Sequence, residues 1–80
     1  MEYDVIHQQN KQRFVISINK HDAVIEYKLE GNIIDFTRTF VPEELRGEGI
    51  AGKLVRAALT WAKSQHFEMT SSCWYVQKFL

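Results

Sequence analysis

Between Phe14 and Leu29 the apolar residues recur at every second position. Phe14, Ile16 and Ile18 alternate with Arg13, Val15, Ser17 and Asn19, and Ala23, Ile25, Tyr27 and Leu29 then alternate with Glu26, Lys28 and Glu30. Successive side chains of a strand point to opposite faces, so this pattern predicts two half-buried strands. The turn between them is placed at His21-Asp22. The next falls at Gly31-Asn32, whose residues tolerate the positive φ of a hairpin. A third long strand spans about Ile33 to Val41, with Ile34, Phe36, Arg38 and Phe40 on one face and Asp35, Thr37 and Thr39 on the other. Pro42 lacks an amide proton and ends its pairing. Val5 and Ile6, ahead of the polar run Gln8 to Gln12, read as a short first strand entering a turn.

The period then changes. From Gly47 or Gly49 to Gln65 the apolar residues Ile50, Ala51, Leu54, Val55, Ala58, Trp61 and Ala62 follow the three-and-four spacing of a helix with one buried face. Lys53, Arg56, Lys63 and Gln65 take solvent-facing positions, and Lys63 and His66 suit the negative pole at the helix end. Phe67 to Ser72 is again strand-like. A strand, a helix and a strand in this order predict a right-handed crossover joining two parallel strands, with the loop from Pro42 to Gly49 at the C-terminal end of the sheet, where such folds bind ligands. The expected class is α+β: a twisted, mostly antiparallel sheet of four or five strands carrying one main helix, with a parallel pair flanking that loop.

Composition narrows the partners. Eighty residues make one small domain, which buries only about 60% of the surface its unfolded chain exposes. Ten Lys and Arg balance ten Asp and Glu, so no broad positive field draws in nucleic acid or an anionic membrane. A single cysteine, Cys73, forms no intramolecular disulfide, and the N-terminus has no apolar signal region; a soluble, cytoplasmic protein, monomeric or weakly dimeric, is expected. No apolar run approaches the roughly 18 residues that span a bilayer. His7, His21 and His66 have no ligand spacing, read as surface residues, and support no metal site. Trp61 and Trp74 read as packing residues.

The candidate chemistry sits where the third strand runs out. Gly47, Gly49 and Gly52 allow a tight turn into the helix, whose first N–H groups stay unpaired and point outward, a ready site for an anion such as phosphate. Three motifs overlap here. Gly47-x-Gly49-x-x-Gly52 matches the dinucleotide fingerprint, but the 28 residues after Gly52 leave no room for its repeated βαβ sheet. Gly47-x-x-x-x-Gly52-Lys53 begins a Walker A loop, yet Leu54 stands where a magnesium-binding hydroxyl belongs. The third is Arg46-x-x-Gly49-x-Ala51.

On this third motif the chain resembles the GNAT superfamily of acetyl-CoA-dependent acyltransferases, and specifically a compact subfamily that pairs it with a Thr-aromatic-Val-Pro lead-in and a Cys-x-Tyr-Val near the C-terminus. Here these are Thr39-Phe40-Val41-Pro42 and Cys73-Trp74-Tyr75-Val76, and the resemblance runs from about Phe14 to the end. It implies acetyl-CoA as cofactor and acetyl transfer to an amine. The backbone of Arg46, Gly47, Glu48, Gly49, Ile50, Ala51 and Gly52 would hold the pyrophosphate, and the region around Val41 would pair with the pantetheine arm. The chain is roughly half the usual superfamily length, without the N-terminal helices that wall the acceptor site, which favours a large acceptor such as a protein lysine or terminus.

Cys73 and Tyr75 are the candidate catalytic residues. Cys73 would emerge at the same sheet edge as the loop, and a helical turn over Trp74 to Leu80 would set it at an N-terminus that favours thiolate; the resemblance makes it an acetyl-accepting nucleophile. Tyr75, by the same resemblance, is the acid that protonates the leaving CoA thiolate. Two positions depart from the subfamily. Arg38 replaces a histidine and cannot act as a base; it reads first as a surface arginine, and as a functional residue it could stabilise a thiolate at Cys73 or a carboxylate on the acceptor. Ser71 replaces a proline and is expected to loosen the strand end. Glu43, Glu44 and Glu48 surround the loop with negative charge, leaving the backbone amides and Arg46 to attract an anion. A non-catalytic module binding CoA, acyl-CoA or a partner protein is the rival reading, and a magnesium-dependent ATP binder a third.

Overall fold

The structure, a computed structural model, describes residues 4–80. Strands β1 (Ile6–Gln8), β2 (Arg13–Ile18), β3 (His21–Glu30), β4 (Ile33–Phe40) and β5 (Glu68–Ser71) form one sheet in the order β1-β2-β3-β4-β5. Neighbours are antiparallel except β4 and β5, which run parallel across helix α1 (Ile50–Ser64). A closing turn, α2 (Trp74–Gln77), follows β5.

The helix buries Ile50, Leu54, Val55, Ala58 and Ala62 against Phe14, Ile16, Ala23, Ile25, Tyr27, Ile34 and Phe36 of the sheet, with Leu45 and Val76 closing the cluster. Each large side chain taken out of water here contributes about 1.5–3 kcal/mol before entropy is counted. Among the described residues no helix is long and apolar enough to cross a membrane.

The alternating pattern places these strands correctly, with three local differences. The β2–β3 turn falls two residues earlier than expected, at Asn19-Lys20, with φ of 51° and 69°, so that His21 and Asp22 pair with Ile18 and Ser17. Two successive positive φ values give the hairpin a twist that matches its strands, and asparagine tolerates that conformation better than most residues.

The second difference is a β-bulge. Arg38 lies opposite Glu26, but Phe36 lies opposite Tyr27, so Thr37 is an extra residue, its hydroxyl 3.4 Å from the Glu26 carbonyl. One inserted residue inverts the facing of everything after it. Ile34 and Phe36 enter the core, whereas Arg38 and Phe40 join Val24 and Glu26 on the face away from the helix, contrary to the single face the alternation predicts. Arg38 lies 3.7 Å from Glu26 and 5.2 Å from the Phe40 ring centroid, and Phe40 is 40% exposed.

The third concerns His7, which is no surface residue. Its ring stacks on Phe14 at 4.0 Å and meets Trp61 edge-on at 4.4 Å, and Nε2 lies 2.6 Å from the Tyr27 hydroxyl. Burial among these rings lowers its pKa, because the charged imidazolium would lose hydration there.

Candidate active site

Beyond Phe40 the chain leaves the sheet through Pro42 and a 3₁₀ turn, Glu43–Leu45, which the buried Leu45 anchors to the core. Arg46 then ties the loop back to the strand: its Nε donates to the Val41 carbonyl at 3.0 Å. Gly47 and Gly49 take φ of +85° and +74°, a region that other residues enter at a cost, and a Cβ built on either would meet nothing within 4 Å. These glycines therefore serve the turn and leave clear space in front of the backbone. Gly49 caps α1 with no side-chain hydrogen bond, so the first helical amides face that space without a capping oxygen.

Val41, Leu45, Arg46, Gly47, Gly49, Ile50, Ala51, Gly52 and Tyr75 surround one cavity of about 230 Å³. Every position assigned to the cofactor from sequence lines it except Glu48, and Tyr75 reaches the same space from α2. Leu45 was not among those positions; an apolar residue inside an acidic loop was the available signal. Among the described residues no group of three or more His, Cys, Asp or Glu gathers as a metal site would require.

The other wall is the gap between β4 and β5. The two strands pair only from Ile33 to Phe36 on β4, although β4 continues to Phe40, so no strand pairs with its second half on the β5 side. Where β5 turns away, the amides of Ser72 and Cys73 both point at the Phe36 carbonyl, at 3.1 and 3.3 Å. Ser71 reinforces this end. Its hydroxyl oxygen accepts from the Cys73 amide at 3.0 Å and lies 2.9 Å from the Phe36 and Cys73 carbonyls, either of which can take its proton. The expected loosening is not found, because the serine replaces ring rigidity with hydrogen bonds.

Cys73 caps α2 and lies half-buried, its Sγ 3.8 Å from the Thr39 hydroxyl. Partial burial pushes the thiol pKa up, but hydrogen bonds from the Val76 and Tyr75 backbone, the Thr39 hydroxyl and the Thr39 backbone outweigh it, and the net shift is downward. Thr39 reaches the thiol because the bulge turns it to this side. The same inversion carries Arg38 to the opposite face, beside Glu26, so the suggested contact between Arg38 and the Cys73 thiolate is absent. Cys73 itself does not line the cavity; Tyr75, two residues on, does.

The same overall fold is found among known proteins. The family model described as GCN5-related N-acetyltransferase matches residues 13–80. The chain belongs to that family. Protein NATD1 of Bos taurus is 38% identical over 79 residues, covering 95% of this chain and 70% of the bovine protein, and Homo sapiens NATD1 is 37% identical with the same coverage. The solution NMR structure of a GCN5-like protein from Staphylococcus aureus superposes with a TM-score of 0.73 at 25% identity, covering 95% of this chain and 76% of that one. The GCN5-related fold thus accounts for the arrangement of β4, the loop, α1 and β5.

Proposed function

We propose that the protein binds acetyl-CoA and transfers its acetyl group to an amine acceptor. The observation that carries this reading is the single cavity shared by the strand end at Val41, the loop from Arg46 to Gly52 and the Tyr75 side chain. The loop amides and Arg46 suit the pyrophosphate, and the second half of β4, with which no strand pairs on the β5 side, suits the amide groups of a pantetheine arm, which would pair with it as a strand does. Membership of the N-acetyltransferase family supports the same assignment.

In this reading the neutral amine attacks the thioester carbonyl directly. The C–N bond forms as the C–S bond breaks, Tyr75 gives its phenolic proton to the departing CoA sulfur, and the amine loses its extra proton to water. Tyr75 is favoured over Cys73 for contact with the thioester because only Tyr75 lines the cavity. A covalent route has its own support in the lowered thiol pKa of Cys73: the thiolate would take the acetyl group from CoA and pass it to the amine.

The open gap beside β5 suits an acceptor presented from outside, such as a protein lysine or N-terminus. A thermal-shift titration with CoA, acetyl-CoA, ATP with magnesium, and NAD tests the cofactor. Ligand at 100 times its Kd adds about 2.7 kcal/mol, and stabilisation by the two CoA compounds alone is expected. Stabilisation by magnesium-ATP instead would overturn the assignment. Acetyl-CoA binding with no transfer to any protein or small amine would leave a non-catalytic binding module.

A further inference from the structure

Gly52 is the third residue of α1, within its first turn, and its φ is not one that requires glycine. What its missing side chain leaves room for is Arg56. A Cβ on Gly52 would stand 3.1 Å from Arg56 Nη1, 3.6 Å from Nη2 and 3.7 Å from Cζ. Helix side chains lean toward the N-terminus, so a residue four positions on covers the turn before it. Arg56 does not itself line the loop cavity, but its guanidinium is thereby folded back beside Gly52, which does.

Arg56 is exposed, and among the described residues it has no hydrogen bond or ion pair. Arg46, the other arginine here, already spends its Nε on the Val41 carbonyl. Glu43, Glu44 and Glu48 add negative charge on the same loop. A ligand carrying several phosphate charges needs more positive charge at this mouth than Arg46 supplies, and Arg56 presents a planar fork suited to paired phosphate oxygens.

We infer that Arg56 is a phosphate-binding residue of this site, holding a phosphate on the nucleotide end of CoA that the loop amides leave exposed. The inference rests on the acetyl-CoA reading and adds a residue to it. Its test is the affinity of the native protein, Arg56→Ala and Arg56→Lys for CoA, 3′-dephospho-CoA and pantetheine by calorimetry. Arg56→Ala weakens CoA by about 10- to 100-fold, as loss of a charge-assisted hydrogen bond should, and leaves pantetheine unchanged. Arg56→Lys recovers only part of the loss, since an ammonium cannot form the fork. A penalty that persists with dephospho-CoA assigns Arg56 to the pyrophosphate; one that vanishes assigns it to the 3′-phosphate, and either supports the role. CoA binding equal to the native protein's, or an equal loss for pantetheine, overturns it. A native protein that binds no CoA overturns the acetyl-CoA reading first, and this inference with it.

Discussion

Helix α1 ends in two different surroundings. At its C-terminal end Trp61 is enclosed by rings, with centroids 4.4 Å from His7, 5.8 Å from Phe14, 5.6 Å from Tyr27 and 5.4 Å from Phe67. At its N-terminal end the helix meets glycines, a cavity and backbone amides without a side-chain cap. One end buries area and fixes the helix on the sheet, so the other can stay open and polar. A chain of this size has little core to spare, and dividing the work along one helix lets 80 residues hold both.

The sharpest way to break this comparison is Trp61→Ala. Removing a large aromatic from a packed cluster costs about 3–5 kcal/mol; Trp61 is only partly buried, so about 3 kcal/mol is expected. Urea denaturation should show it, with a Tm lower by roughly 12 °C or more. CoA affinity measured while the variant is folded should stay near native. A matching loss of affinity would mean that the two ends are one cooperative unit.

Tyr75→Phe acts at the other end and should do the reverse. If Tyr75 is the general acid of the proposed transfer, turnover should fall about 100-fold, while the ring still lines the cavity and CoA affinity should change little. Stability should be nearly native. Unchanged turnover would remove Tyr75 from the chemistry and return attention to Cys73.

Much of this division is legible in the chain. The spacing from Ile50 to Ala62 marks the helix and its buried face, and glycines with an arginine at the turn mark the open end. The facing of β4 beyond Phe36 is not legible, because alternation assumes unbroken pairing and an inserted threonine has no compositional signature. From that one residue follow the exposure of Phe40, the absence of Arg38 from the site and the contact between Thr39 and Cys73. His7 was hidden for a related reason: a lone histidine next to polar residues reads as surface, and only the sheet order brings its ring over Phe14. The role of Ser71 lay in its hydroxyl, which comparison with a proline could not reveal.

His7 gives the closed end a pH dependence smaller than either effect above. Its folded pKa lies below the unfolded value of 6.5, so the neutral form is favoured on folding. That stabilisation is complete above the unfolded pKa and is lost as pH falls through the folded value. The urea midpoint should therefore drop between about pH 7.5 and about pH 5, and His7→Phe should flatten the drop. An equal drop in the variant would place the acid sensitivity elsewhere.

The smallest expected effect isolates what the bulge does for the open end. Thr39→Val keeps the shape of the side chain and removes the hydroxyl 3.8 Å from Sγ. The backbone groups that also favour the Cys73 thiolate remain, so its pKa should rise toward the ordinary thiol value without reaching it. Alkylation of Cys73 against pH reads this directly, as a profile displaced to higher pH. The linkage runs the same way: a thiol whose folded pKa is depressed contributes stability above its unfolded pKa, lost as pH falls through the folded one. The variant should gain less stability at alkaline pH than the native chain. An unmoved profile would mean that the backbone sets the thiol alone and that turning Thr39 toward Cys73 has no chemical consequence. A displaced one would tie the reactivity of Cys73 to Thr37, the inserted residue that decides which face of β4 meets the site.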